Sequence, residues 1–62
     1  MADDRARVLI ALAEIYNGDG QEIWMRSPNK LLDGRSPDEL IEAGETERVL
    51  DLILALAEGV VM

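Results

Sequence analysis

Two Ser-Pro pairs, Ser27-Pro28 and Ser36-Pro37, stand nine residues apart in the middle of the chain. That spacing decides most of what can be built around them. Proline has no amide hydrogen and clashes with a preceding helical turn, so a helix accepts it most readily at its first position. A serine just before it can accept a hydrogen bond from the amides that a first turn leaves free. Each pair is followed by two apolar residues, Leu31-Leu32 and Leu40-Ile41, and each segment closes on a glycine, Gly34 and Gly44. The stretch therefore reads as two short capped helices. Ser27 is expected to cap the first. Ser36 is expected to cap the second more strongly, because Glu39 lies three residues on and completes a capping box. Neither helix is long enough to form by propensity alone, so packing must hold both.

Longer helices flank this centre. Asp3 or Asp4 can cap a first helix running to about Tyr16. Residues 17–20, Asn-Gly-Asp-Gly, read as a turn. Residues 21–26 read as a second helix of about two turns. Glu45 or Thr46 starts a last helix over about Glu47 to Glu58, which Gly59 ends. There is no period-two pattern of a strand. The expected fold is all-α: a small single-domain bundle of about four to five helices, with two short capped helices in the middle. Residues 1–62 are expected to form that one domain.

A chain of 62 residues builds only a marginal core, and here no cysteine or histidine is present to staple it with a disulfide or a metal. What remains is close helix packing or self-association. On a helical wheel, Val49, Leu50, Leu52, Ile53, Leu54, Leu56 and Ala57 of the last helix fill an arc of about 200°. Ala6, Val8, Leu9, Ile10, Leu12, Ala13, Ile15 and Tyr16 of the first fill about 220°. A small fold cannot easily cover both. Either one helix is deeply buried, or part of each arc is an interface with a second copy or with another protein. A homodimer held mainly by the first and last helices is expected.

The chemistry excludes more than it assigns. Without His or Cys no nucleophile–base pair can be assembled, and no Gly-rich loop follows a strand. Asn17, Asp19 and Gly20 have the spacing of a calcium loop. Its first ligand position would be Ile15 and its twelfth Arg26, which excludes that reading. Acidic pairs such as Asp38-Glu39 and Glu45/Glu47 sit at helix starts, where the helix dipole favours them. No enzyme activity, cofactor or metal site is expected. The net charge of −7 disfavours nucleic acid. The longest apolar run, 52–57, is too short to cross a bilayer, so no membrane association is expected and the cytoplasm is the default location. Trp24 reads as a core anchor or as an interface hot spot. Arg26, Lys30 and Arg35 place half of the basic residues within ten positions, around Asn29, and form a candidate polar contact patch.

Read in order, Trp24, Pro28-Asn29, Leu32, Gly34, Ser36-Pro37, Leu40-Ile41, Gly44 and Arg48-Val49-Leu50 compose W-x3-PN-x2-L-x-G-x-SP followed by G-x3-RVL. This ordered set resembles the toxin-binding domain of the Xre/MbcA/ParS antitoxin family, over about residues 6 to 61. The resemblance implies a small all-α domain that binds and neutralises a cognate toxin of the RES class, enzymes that consume NAD. It implies dimerisation. It also implies that the end of the last helix and the residues after it, Leu56, Glu58, Gly59, Val60, Val61 and Met62, meet the toxin near its active site. Family members often carry an N-terminal helix-turn-helix, but residues 1–62 are expected to hold no separate DNA-binding domain. The alternative is a self-associating helical adaptor with no toxin partner.

Charge alone yields a first prediction. Six basic residues set against thirteen acidic ones should leave binding to duplex DNA undetectable at physiological salt. Fluorescence anisotropy with a labelled duplex is the check, and a salt-sensitive rise at submicromolar protein would contradict it.

Overall fold

The structure, a computed structural model, describes residues 4–59. They form four α-helices and one 3-10 turn: α1 (Asp4–Leu12), α2 (Gly18–Arg26), the 3-10 turn (Lys30–Leu32), α3 (Pro37–Glu42) and α4 (Thr46–Glu58). The all-α bundle expected from the sequence is the one observed. Every helical element contributes to a single core. Val8 and Leu12 enter it from α1, Met25 from α2, Leu32 from the 3-10 turn, Leu40 from α3, and Val49 and Ile53 from α4. Each is 2% exposed or less.

The two Ser-Pro pairs prove to do different things. At Ser36 the hydroxyl accepts from the Glu39 amide at 3.2 Å, and the Glu39 carboxylate accepts from the Ser36 amide at 2.8 Å. The capping box is complete, with Pro37 opening α3. Ser27 is instead the last residue of α2's frame. Its hydroxyl donates back to the Ile23 carbonyl at 2.6 Å, and it caps no following helix. The residue before a proline is pushed to extended backbone, and Ser27 adopts φ −91°, ψ 140°. Asn29 then takes the capping role, its side-chain oxygen accepting from the Leu31 amide at 2.8 Å. The first of the two expected short helices is thus a single 3-10 turn begun by Asn29.

That turn closes on itself. The Gly34 amide donates to the Asn29 carbonyl at 2.9 Å, and the Asn29 amide to the Arg35 carbonyl at 3.1 Å. The reversal needs two successive left-handed residues, Asp33 at φ 61° and Gly34 at φ 81°. Aspartate tolerates that region and glycine enters it without penalty. Gly44, at φ 82°, makes the reversal after α3 in the same way.

Two other boundaries differ from expectation. The regular part of α1 stops at Leu12, after which the Glu14 and Ile15 amides donate to carbonyls only three residues back, tightening the chain as far as Tyr16. Helix α2 begins at Gly18, inside the expected turn. Asn17 stands at its start without a side-chain cap bond, while the Gln21 amide group donates to the Tyr16 carbonyl at 2.9 Å. Complete burial of Met25 outweighs the poor helix propensity of two glycines in the first turn.

Helices α1 and α4 start side by side. The buried Thr46 hydroxyl donates to Asp4 at 3.1 Å, and Arg7 lies 3.7 Å from Glu47. The wide apolar arcs are only partly used. Leu50, Leu52 and Leu56 are half-buried, Leu54 is 58% exposed, and Ile10 on α1 is 74% exposed.

Ser36→Ala removes one bond of the capping box and leaves the Glu39 amide unpaired. It should cost about 1 kcal/mol, or roughly 4–8 °C in Tm for a domain of this size. Ser27→Ala, which loses only a hydroxyl that bonds back along its own helix, should stay within about 0.5 kcal/mol. Thermal melts followed by circular dichroism decide it, and equal effects at the two serines would contradict the assignment.

Candidate functional site

No cavity opens among the described residues, and no group of acids among them is placed to hold a metal ion. What residues 4–59 present for recognition is their outer surface. Charge organises that surface. Arg5 lies against both α3 and α2: its Nε donates to Asp38 at 2.8 Å, and its Nη2 reaches Glu22 at 3.2 Å. The hydrogen bond to Asp38 is the main cause holding the Arg5 guanidinium above its ordinary pKa, against the opposing effect of burial. Raising an already high pKa keeps the cation charged throughout the working pH range. The contact therefore adds no pH dependence from the arginine side below that range.

A second network ties the 3-10 turn to the start of α4. Arg48 donates to Glu45 at 3.0 Å and to Asp33 at 3.3 Å, and Arg35 approaches Glu45 at 3.6 Å. The bond to Glu45 is the first cause raising the Arg48 pKa. Exposed pairs of this kind add little stability each. Their effect is to fix register between the turn and the helix.

With Arg5, Arg7, Arg35 and Arg48 in ion pairs, Arg26 and Lys30 are the basic side chains without one among the described residues. Both are exposed. The expected patch around Asn29 thus divides. Asn29 and Arg35 are brought together and serve the turn itself. Arg26 and Lys30 flank it as free cations, next to the exposed Leu31.

The other expected contact residues lie at the far end of α4. Leu56 is half-buried, Glu58 and Gly59 are exposed, and Gly59 caps the helix in the left-handed region at φ 73°. Val60, Val61 and Met62 lie outside the described residues. Helix α4 has 13 residues and so spans about 20 Å. The turn packs near its start, so the structure does not join the two groups into one site. The last turn of α4 carries no basic residue, and its free carbonyls give that end a partial negative charge. Glu58 adds to it. Along the same outer side lie Glu47, Asp51 and the exposed Leu54. Sequence reasoning put Leu54 in the apolar arc but could not say which edge of the arc the core would leave uncovered.

Residues 11–59 match the family described as antitoxin Xre/MbcA/ParS C-terminal toxin-binding domain, and the chain belongs to it. Similar curated proteins are the mycobacterial cidal antitoxins MbcA of Mycobacterium tuberculosis and Mycobacterium bovis. Each is 53% identical over 55 residues, which is 89% of this chain and 49% of the relative. The fold is similar to a chain in the crystal structure of the M. tuberculosis MbcT–MbcA toxin–antitoxin complex. There the TM-score is 0.91 with 49% identity, over 95% of this chain and 53% of that one. The present chain thus spans about half the length of the curated relatives it matches.

The divided patch can be tested directly. Asn29→Ala removes the cap of the 3-10 turn and should destabilise by about 1 kcal/mol. Arg26→Ala and Lys30→Ala should each change stability by less than about 0.5 kcal/mol. Urea titration compares all three, and comparable losses at Arg26 and Asn29 would contradict the division.

Proposed function

We propose that this chain is an antitoxin module that binds a cognate protein toxin and neutralises it by covering the entrance to the toxin's active site. The observation that carries the reading is the match of residues 11–59 to a toxin-binding domain, supported by likeness to a chain from a toxin–antitoxin complex. The toxin class proposed is the RES type, which consumes NAD. The module acts in the cytoplasm, as one domain over residues 1–62 and as a homodimer. It inhibits by occupying a surface and performs no chemistry of its own.

The end of α4 is the proposed contact. Leu56 offers apolar area beside the acidic Glu58, and Gly59 turns the chain out of the helix. Val60, Val61 and Met62 continue the apolar character. An enzyme that holds a phosphate-bearing substrate presents basic groups at its entrance, and a carboxylate-rich helix end complements them. The free cations Arg26 and Lys30 are a second, weaker contact at the opposite end. Exposed Ile10 and Leu54 also favour the alternative, a self-associating adaptor without a toxin. Co-purification from the native host separates the two.

Interface energy concentrates in few residues, so deletion of Val60-Val61-Met62 should weaken toxin neutralisation much more than folding. The measurement pairs rescue of toxin-expressing cells with the Tm of the truncated protein. Full rescue by a folded truncation would move the inhibitory contact elsewhere.

A further inference from the structure

The outer sides of the two long helices differ in a way that bears on self-association. On α1, Ile10 lies about 160° to 200° around the helix from the buried Val8 and Leu12, and at 74% exposure it is the most exposed large apolar side chain described. Exposed Ala6 and Ala13 lie on one flank of it, and Arg7 and Glu14 on the other. Helix α4 offers no comparable surface. Its outward side carries Glu47, Asp51 and Glu58 around Leu54, so a two-fold contact there would set acids against acids.

We propose that the outward side of α1 pairs with the same surface of a second copy, antiparallel about a two-fold axis at Ile10, with Arg7 of each copy beside Glu14 of the other. The proposal rests on the homodimer reading above and specifies its surface. In an antiparallel helix pair, residues on one flank at equal distances before and after the axis come opposite each other. Ala6 and Ala13 lie four residues before and three after Ile10, and Arg7 and Glu14 three before and four after, so the members of each pair come opposite to within one residue's rise, about 1.5 Å. Members of each pair are seven residues apart, about 10.5 Å along the helix. Two alanines on one flank let the backbones approach closely. Opposite charges on the other flank meet twice, once for each half of the dimer.

Both charged groups are available for it. Arg7 makes only loose pairs within the chain, 3.6 Å from Asp4 and 3.7 Å from Glu47, and its side chain is 55% exposed. Glu14 is exposed and has no ion-pair partner among the described residues. Helical hydrogen bonding carries past the regular end of α1, with the Ala13 amide donating to Leu9 at 3.0 Å and the Tyr16 amide to Leu12 at 2.9 Å. This keeps Ala13 near its helical position, while Glu14, whose amide donates to the Ala11 carbonyl at 3.2 Å, begins the tighter turn that follows. A contact built on one short helix buries less than the roughly 1,000 Å² of a stable interface, so the dimer is weak and concentration-dependent. It leaves the acidic outer side and the end of α4 free for a toxin.

Sedimentation equilibrium over a wide concentration range tests the register through complementary charge reversals. Wild-type protein should approach twice the monomer mass at the top of the range. Ile10→Asp should remain monomeric with an unchanged Tm, because the side chain it replaces is outside the core. Arg7→Glu alone sets acid against acid, and Glu14→Arg alone sets base against base, so each should dimerise at least about tenfold more weakly. An equimolar mixture of these two variants has opposite charges at both contacts and should recover wild-type association. If wild type is monomeric throughout, both the homodimer and this register are overturned. If wild type dimerises and Ile10→Asp does so equally well, the homodimer stands and the α1 surface is wrong. A mixture no stronger than its components overturns the Arg7–Glu14 pairing.

Discussion

Burial of seven apolar side chains, drawn from all five helical elements, is the constraint on which the rest of the structure depends. None of the short elements can persist by itself. The 3-10 turn has three residues and α3 has six, well below the length at which a helix is stable in water. Leu32 and Leu40 tie them to Val49 and Ile53, and local caps hold their ends in the geometry that makes this burial possible. Asn29 and the Ser36–Glu39 pair therefore act on the core indirectly. They satisfy amides that would otherwise compete with packing.

How far the sequence discloses this can be judged from the two serines. Both precede proline, and in isolation both look like caps. The difference is visible three residues later, where Glu39 can reach back to Ser36 while Lys30 cannot do the same for Ser27. Weighing that contrast also points to Asn29, whose side chain is short enough to bond two residues on. The early start of α2 was not legible, because two glycines argue for a turn and only tertiary burial of Met25 overrides them. The extent of the last helix was legible within a residue, since its apolar period and Gly59 agree.

The candidate site was legible in a different degree. Composition excluded chemistry based on His or Cys, and the ordered motif identified the family. Wheel geometry showed that the long helices carry more apolar area than a small core can use. It could not show which edges stay uncovered, because that depends on which side each helix turns to its neighbour. Burial of Val8 and Leu12 with Val49 and Ile53, together with the Asp4–Thr46 contact, fixes that orientation. They leave Ile10 outward on α1 and an acidic outer side on α4, two surfaces of different character on adjoining helices.

The shared starting point of α1 and α4 also fixes how the domain bears load. Because the helices begin together, the chain enters α1 near one end of their contact and leaves α4 near the other, about 20 Å away. A pull between the two ends does not peel α1 off one turn at a time. It slides α1 along α4, so Val8, Leu12, Val49 and Ile53 resist in parallel.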